Sequence, residues 1–190
     1  MPRQPDPALE SRLVAAALRL LDRGGEPAIT LRAVAREART TTPTIYQRFR
    51  DRGELVSAAV DTTTDELVAL LHPTEAVEGM FREFLRYTMA HPMRAHLMVD
   101  TFGRRYAARE KMPAMDLLKA RVAEETGVAR SQAEDLALAI ATLAFGTTQG
   151  MIAAGSDTRH AQQLQAAALR ALELLLTAFA KAGRRKPKRS

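Results

Sequence analysis

The chain has 190 residues, of which 46% are hydrophobic and 26% charged, a balance typical of a folded globular protein and not of a disordered chain. It contains no cysteine, which excludes disulfides, thiolate metal sites and a cysteine nucleophile. The net charge is +6, but the last ten residues alone carry six basic side chains and no acid. The net charge is therefore weaker evidence about function than the positions of the charged residues along the chain.

Charge is distributed unevenly between the two parts of the chain. Residues 1–55 hold ten Lys or Arg against seven Asp or Glu, whereas residues 56–180 hold twelve against fifteen. A basic N-terminal module beside a slightly acidic body favours a polyanionic partner for the first part. The simpler alternative is that the basic balance reports only a solvated tail.

Charges interrupt the apolar runs, so we expect no stretch that reaches the roughly 18 residues a membrane helix needs, and no membrane partner. The N-terminus has no apolar signal core. The sequence thus predicts a cytoplasmic protein.

The N-terminal quarter of the chain has the pattern of three helices and the start of a fourth. Apolar residues recur at helical spacing over 9–21, and glycines 24 and 25 end that segment. Thr30 is placed to cap a short helix, and Thr41 or Thr42 to cap the next, which has Pro43 in its first turn. Asp51 then begins a longer helix.

The rest of the chain continues in helical periods, and no alternating run typical of a strand interrupts them. Apolar and breaker positions predict helices over about 74–90, 92–110, 113–127, 130–153 and 157–182. The predicted fold class is all-α, with about nine helices.

Residues 30–49 have the spacing of a helix-turn-helix, in which the second helix enters the major groove of DNA. On that second helix Ile45 and Phe49 mark the buried side. No carboxylate occurs between Ala38 and Arg50, as expected of a surface that approaches phosphates. The residues predicted to face outward are Pro43, Thr44, Tyr46, Gln47 and Arg50.

Two other classes of function compete with DNA binding. Two helices with a tight turn also occur in helical binding proteins, so a degenerate helix-turn-helix that no longer binds DNA is the alternative. An enzyme is disfavoured because no nucleophile elbow, phosphate loop or zinc-protease motif is present. His91, His96 and Asp100 do not share one helical face, which disfavours a metal site, and no cofactor is expected.

The stretch from Ser11 to Leu55 resembles the TetR family of bacterial transcriptional regulators. The residues that carry the resemblance are Gly24, Gly25, Thr30, Val34, Ala35, Ala38, Thr41, Thr44, Ile45, Tyr46, Phe49, Asp51, Arg52, Glu54 and Leu55. Three positions depart from the family pattern: Arg39 replaces a turn glycine, Thr40 a buried aliphatic residue and Gly53 an acidic residue.

The resemblance implies roles for individual residues at the DNA. It places the Tyr46 hydroxyl and the Arg52 guanidinium on phosphates, and Thr41, Thr44 and Gln47 at bases or backbone. A glutamine can bond adenine with two hydrogen bonds. The full set of expected DNA contacts is Thr30, Arg39, Thr41, Thr42, Pro43, Thr44, Tyr46, Gln47, Arg48 and Arg52.

The resemblance also implies a division into a DNA-binding domain at 7–67 and an effector-binding and dimerisation domain at 68–183. The basic composition of residues 184–190 predicts a disordered tail. It implies a homodimer on a pseudo-palindromic operator, most simply a repressor released by a small apolar effector. The candidate effector contacts are Phe84, Tyr87, His96, Met98, Phe102, Met115, Phe145 and Gln149, near Thr147 and Thr148. The candidate dimer contacts are Leu136, Ile140, Leu143, Leu169, Leu172, Leu176 and Phe179.

Overall fold

A computed structural model describes residues 8–184, and over this range the chain forms nine α-helices and one 3-10 turn, without a strand. The predicted all-α class is confirmed; residues 185–190 of the basic tail lie outside the described range. The helices are α1 (Leu9–Gly24), α2 (Leu31–Glu37), α3 (Thr42–Ile45), α4 (Arg52–Leu71), α5 (Val77–Ala90), α6 (Pro92–Ala107), α7 (Pro113–Thr126), α8 (Arg130–Ala154) and α9 (Thr158–Arg184), with the 3-10 turn at Glu26–Ala28.

The chain divides into two compact units, and both α4 and α6 contribute to each of them. The first unit joins the chain up to Thr64 with His91–Thr101, and the second joins Asp65–Ala90 with the chain from Phe102 onward. The sequence predicted one domain boundary, at residue 67. It gave no indication that the first part of α6 belongs with the N-terminal helices.

The first unit is held together by one apolar core. Leu13, Ile45 and Leu55 are completely buried in it, and Leu97 from α6 is 4% exposed. An ion pair also ties α6 to α1, because Arg94 donates to the two carboxylate oxygens of Asp22 at 2.9 and 2.7 Å. These contacts explain why the start of α6 belongs to this unit.

The second unit is built around α8, which contacts α5, α7 and α9. The residues from Leu136 to Ser156 carry no charge, so the expectation that charges interrupt every apolar run is wrong for this helix. Among the described helices α8 alone is long and apolar enough to cross a bilayer. Leu136 and Ile140 on this helix are nevertheless buried in the unit's own core, as expected of a central helix in a folded domain.

Three residues predicted for the dimer interface are instead core residues of the second unit. Leu136 and Leu172 are completely buried and Ile140 is 2% exposed within a single chain. They therefore have no surface to offer a partner, and their assignment to an interface is wrong. The other four, Leu143, Leu169, Leu176 and Phe179, are half-buried and pack against the same core.

Candidate nucleic-acid interface

Side-chain caps define the start of each helix in the helix-turn-helix. The Thr30 hydroxyl accepts from the Ala33 amide at 3.1 Å and begins α2. The Thr41 hydroxyl accepts from the Thr44 amide at 3.4 Å and lies 2.8 Å from the Thr44 hydroxyl. Each hydroxyl accepts from the amide three residues ahead, as an N-cap side chain does, so the predicted caps at Thr30 and Thr41 are confirmed.

The turn between α2 and α3 reverses through Arg39, whose φ of 53° is left-handed. The amide of Thr40 donates to the Ala35 carbonyl at 2.8 Å, which closes the C-terminus of α2 as a Schellman motif. A glycine adopts this conformation without steric cost, whereas an L-residue with a Cβ does not. The sequence identified the missing glycine, and the structure shows that the backbone remains left-handed without it.

Arg39→Gly is expected to raise the free energy of unfolding by about 1 kcal/mol, since it removes the left-handed penalty. The glycine's greater freedom in the unfolded chain offsets part of this gain. The same change should weaken DNA binding if the guanidinium meets a phosphate. Urea unfolding and duplex titration would measure the two effects.

The matched variant Arg39→Ala removes the charge but keeps the left-handed strain. It should therefore lose DNA affinity without gaining stability. Equal stability of the glycine and alanine variants would contradict the strain argument.

The recognition segment presents one face to the core and the other to solvent. Ile45 is completely buried and Phe49 is 3% exposed, whereas Tyr46 is 56% exposed. The exposed positions also include Pro43, Gln47 and Arg50, and Thr44 is half-buried. The predicted inward and outward sides are confirmed.

The α-helix of this segment is shorter than predicted, because the helix-turn-helix was expected to extend to Phe49. It ends at Ile45 and continues as a turn through Arg48, with the amides of Arg48 and Phe49 both donating to the Ile45 carbonyl at 2.9 and 3.0 Å. The turn still carries Tyr46 and Gln47 to the surface.

The carboxylates that flank the recognition segment are engaged within the protein. Glu37 accepts from Arg19 at 2.8 Å and from Arg23 at 2.5 Å, which braces α2 against α1. These two guanidinium groups lower the pKa of the Glu37 carboxyl. The stabilisation is complete above the unfolded pKa and is lost as the pH falls through the lowered value.

Asp51 plays a similar role at the start of α4. Its carboxylate accepts from the Glu54 amide at 2.9 Å, and this bond lowers the pKa of Asp51. The Glu54 carboxylate in turn accepts from the Arg50 amide at 2.6 Å. The recognition segment itself contains no acidic residue. The nearest carboxylates on either side, Glu37 and Asp51, are bonded within the protein.

Arg52 is engaged in a way that the sequence did not reveal. Its Nε donates to the Ile29 carbonyl at 2.7 Å, and its Nη2 donates to the Glu26 carbonyl at 2.7 Å. Its Nη1 also forms an ion pair with the Glu26 carboxylate at 3.0 Å. These partners lie 23 and 26 residues away, so no local pattern could have indicated them.

The sequence model of a family described as bacterial regulatory proteins, tetR family, matches residues 13–59, the segment just described. Residues 13–59 are a TetR-family DNA-binding domain. The chain is accordingly a DNA-binding regulator and not an enzyme. A comparison with curated protein sequences finds no match.

Solved structures of TetR regulators share the fold over nearly the whole chain. A TetR transcriptional regulator from Streptomyces coelicolor is 22% identical, with a TM-score of 0.71 over 93% of this chain and 99% of that one. A TetR variant from Acinetobacter baumannii, solved with minocycline, is 19% identical, with a TM-score of 0.66 over 91% and 97%. BioQ from Mycobacterium smegmatis is 20% identical, with a TM-score of 0.66 over 90% and 98%. At these identities the likeness shows the fold alone.

In the second unit of this regulator, three of the predicted effector contacts come together. The Phe145 ring meets Phe102 at 4.8 Å and Phe84 at 5.7 Å between centroids, both edge to face. Phe102 also stacks on Tyr106 at 5.9 Å. These rings are half-buried. The cluster, here called the Phe145 cluster, therefore lies at the edge of the core with part of its apolar area exposed.

A buried pair of hydroxyl groups links the helices that carry this cluster. Thr88 on α5 and Thr148 on α8 are completely buried, and their Oγ1 atoms lie 3.1 Å apart. The sequence suggested Thr148 and Thr147 as polar groups in an apolar helix. It gave no sign of Thr88, because the pairing joins residues 60 positions apart.

The other predicted effector contacts lie in different settings. Met115 is a core residue at 6% exposure, and the Tyr87 hydroxyl donates to Glu66 at 2.9 Å. Gln149 is half-buried. His96 and Met98 belong to the first unit, where His96 is exposed and lies 3.4 Å from Asp100. Within residues 8–184, no three acidic or histidine side chains are grouped as metal ligands.

Proposed function

We propose that this regulator is a homodimeric repressor that binds a pseudo-palindromic operator and is released by a small apolar effector in the cytoplasm. The observation that carries the DNA-binding part is the recognition face. It exposes Tyr46 and Gln47 on a segment capped by Thr41, anchored by Ile45 and free of carboxylates. Threonine methyls, Pro43 and the Gln47 amide supply the chemistry that reads base edges.

Selection of bound fragments from genomic DNA, followed by titration at several salt concentrations, tests this function directly. A sequence-specific regulator should enrich one motif with two half-sites and bind it with a steep dependence on salt. A degenerate helix-turn-helix would enrich no motif and would bind duplex DNA weakly at every salt concentration.

Gln47→Ala is expected to change the preference at one base position, at a cost of about 1–3 kcal/mol on the operator. Tyr46→Phe should instead weaken binding to every sequence, because a phosphate contact carries no base information. Binding to the operator, to single-base variants and to random duplex would measure both effects. Gln132→Ala, an exposed glutamine on α8, is the matched control and should bind as the wild type does. Equal losses on operator and random DNA for Gln47→Ala would reject its role in readout.

The surface left for a partner subunit consists of exposed positions of α8 and α9. On α8 the exposed residues Ala139, Thr142 and Gly146 recur at helical spacing and form one uncharged stripe. On α9 Leu174 is 72% exposed, more than any other large hydrophobic side chain within residues 8–184. We infer that this face, rather than the buried leucines, forms the dimer.

The two glycines of α8 serve different purposes in this arrangement. A methyl group at Gly150 would lie 3.0 Å from Leu164 of the same chain, so its small size permits the packing of α9 on α8. A methyl group at Gly146 would meet open space. Gly146 therefore remains available for close approach by a partner helix.

The effector part of the proposal is supported by the Phe145 cluster and the Thr88–Thr148 pair. Aromatic rings that are only half-buried, beside one polar pair, match the lining of a site for a small apolar molecule. The neighbouring TetR variant from Acinetobacter baumannii was solved with minocycline, so one member of this fold class holds a small molecule.

A further inference from the structure

The guanidinium of Arg52 joins the two ends of the helix-turn-helix. It bonds two backbone carbonyls in the segment that leads into α2, at Glu26 and Ile29, while its own backbone begins α4. Ile29 is completely buried and is followed at once by Thr30, the cap of α2. The side chain therefore links the entry to α2 with the exit from the recognition segment.

The same contacts reduce the value of Arg52 as a ligand for phosphate. The Glu26 carboxylate, 3.0 Å from Nη1, offsets the positive charge where a phosphate would have to approach. A phosphate would also compete for N–H groups that are already bonded to carbonyls at 2.7 Å. Only a guanidinium can make this set of bonds, because the ammonium of lysine is a compact point charge without a planar fork.

We propose that Arg52 is a positioning residue for DNA readout and not the phosphate contact that the family resemblance implies. It fixes the start of α2 relative to the start of α4. It thereby fixes the orientation of the recognition segment, which lies between these two helices in the chain. The inference rests on the sequence-specific binding proposed above. A positioning residue affects base readout, whereas a phosphate contact affects all sequences alike.

Three variants of the full-length protein separate the two roles. Arg52→Lys keeps the charge but not the fork, Arg52→Gln removes both, and Glu26→Gln frees the charge while leaving the two carbonyl bonds in place. Affinity for the selected operator and for random duplex would be measured over a series of salt concentrations. Melting curves would show that each variant is folded at the temperature of the titration.

If Arg52 is a positioning residue, we expect both Arg52 variants to bind the operator about tenfold more weakly, a loss comparable to that of one base contact. They should bind random DNA nearly as the wild type does. Their salt slopes should be unchanged, and Glu26→Gln should lose less than either. A phosphate contact predicts different results: near wild-type binding by Arg52→Lys, a slope reduced by about 0.9 for Arg52→Gln, and tighter binding by Glu26→Gln.

Those results, or unchanged operator binding in all three variants, would overturn the proposal. The wild-type protein provides the reference for the underlying function. If the wild type itself does not distinguish operator from random DNA, the sequence-specific function fails. If it does and the Arg52 variants lose equally on both DNAs, only the positioning role fails.

Discussion

Leu174→Asp is expected to give a folded monomer that binds the operator about 100-fold more weakly than the wild type, because two linked half-sites gain at least that factor in avidity. Leu174 is 72% exposed on α9, so the charge meets water in a single chain and is buried only at a partner. Sedimentation would measure the oligomeric state and duplex titration the affinity. Circular dichroism should show wild-type helix content.

Leu172, two residues earlier, provides the contrasting variant. Positions two apart on a helix point to nearly opposite sides, and Leu172 is completely buried where Leu174 is exposed. Leu172→Ala should therefore destabilise the second unit by about 2–5 kcal/mol through the cavity it leaves, rather than act first on the dimer. Ala120→Asp, at an exposed position of α7, controls for the added charge. A Leu174→Asp protein that sediments as a dimer would place the interface elsewhere.

Phe145→Trp is expected to abolish release of the operator by the effector while leaving operator affinity near wild type in its absence. The larger ring would occupy the space beside Phe84 and Phe102, which now meet Phe145 at 5.7 and 4.8 Å. In the wild type the effector should weaken operator binding by about 5–150-fold, and saturating operator should weaken the effector by the same factor. A panel of apolar compounds screened for operator release would supply the ligand, and calorimetry would test the reciprocity.

Phe81 offers a matched core position for this experiment. It lies on α5 in the same unit and is 3% exposed, so Phe81→Trp should overpack the core and cost about 1–3 kcal/mol. Phe145→Trp should melt close to the wild type because its site is half-buried. If both variants are destabilised equally, Phe145 is a core residue and the effector site lies elsewhere. A full response to the effector in Phe145→Trp would lead to the same conclusion.

Much of the DNA-binding segment was predictable from the sequence because its signals are local. A cap such as Thr30 or Thr41 bonds an amide three residues away, and the inward side of the recognition segment follows from Ile45 and Phe49 at a spacing of four. The same spacing predicts that Tyr46 faces outward, and the family resemblance lies in the same stretch. The structure agrees at each of these positions.

The turn shows where local reasoning reached its limit. The sequence showed that Arg39 replaces a turn glycine but did not show whether the backbone there is left-handed. The closing bond from Thr40 to Ala35 holds the backbone left-handed in spite of the side chain. Val34 of α2 and Ile45 of α3 are buried in one core, so the turn joins two helices that are both held by tertiary packing.

Only the tertiary structure decided which apolar residues form the core and which remain for a partner. Helix α8 is uncharged from Leu136 to its end, so its composition does not show which side faces inward. Contact with α5, α7 and α9 buries Leu136 and Ile140 and leaves Gly146 in the open. The hydrogen bond from Arg52 to Glu26 likewise joins residues 26 positions apart. Helical periodicity and capping report on neighbours within about four residues, whereas core membership and long-range hydrogen bonds depend on which helices the fold brings together.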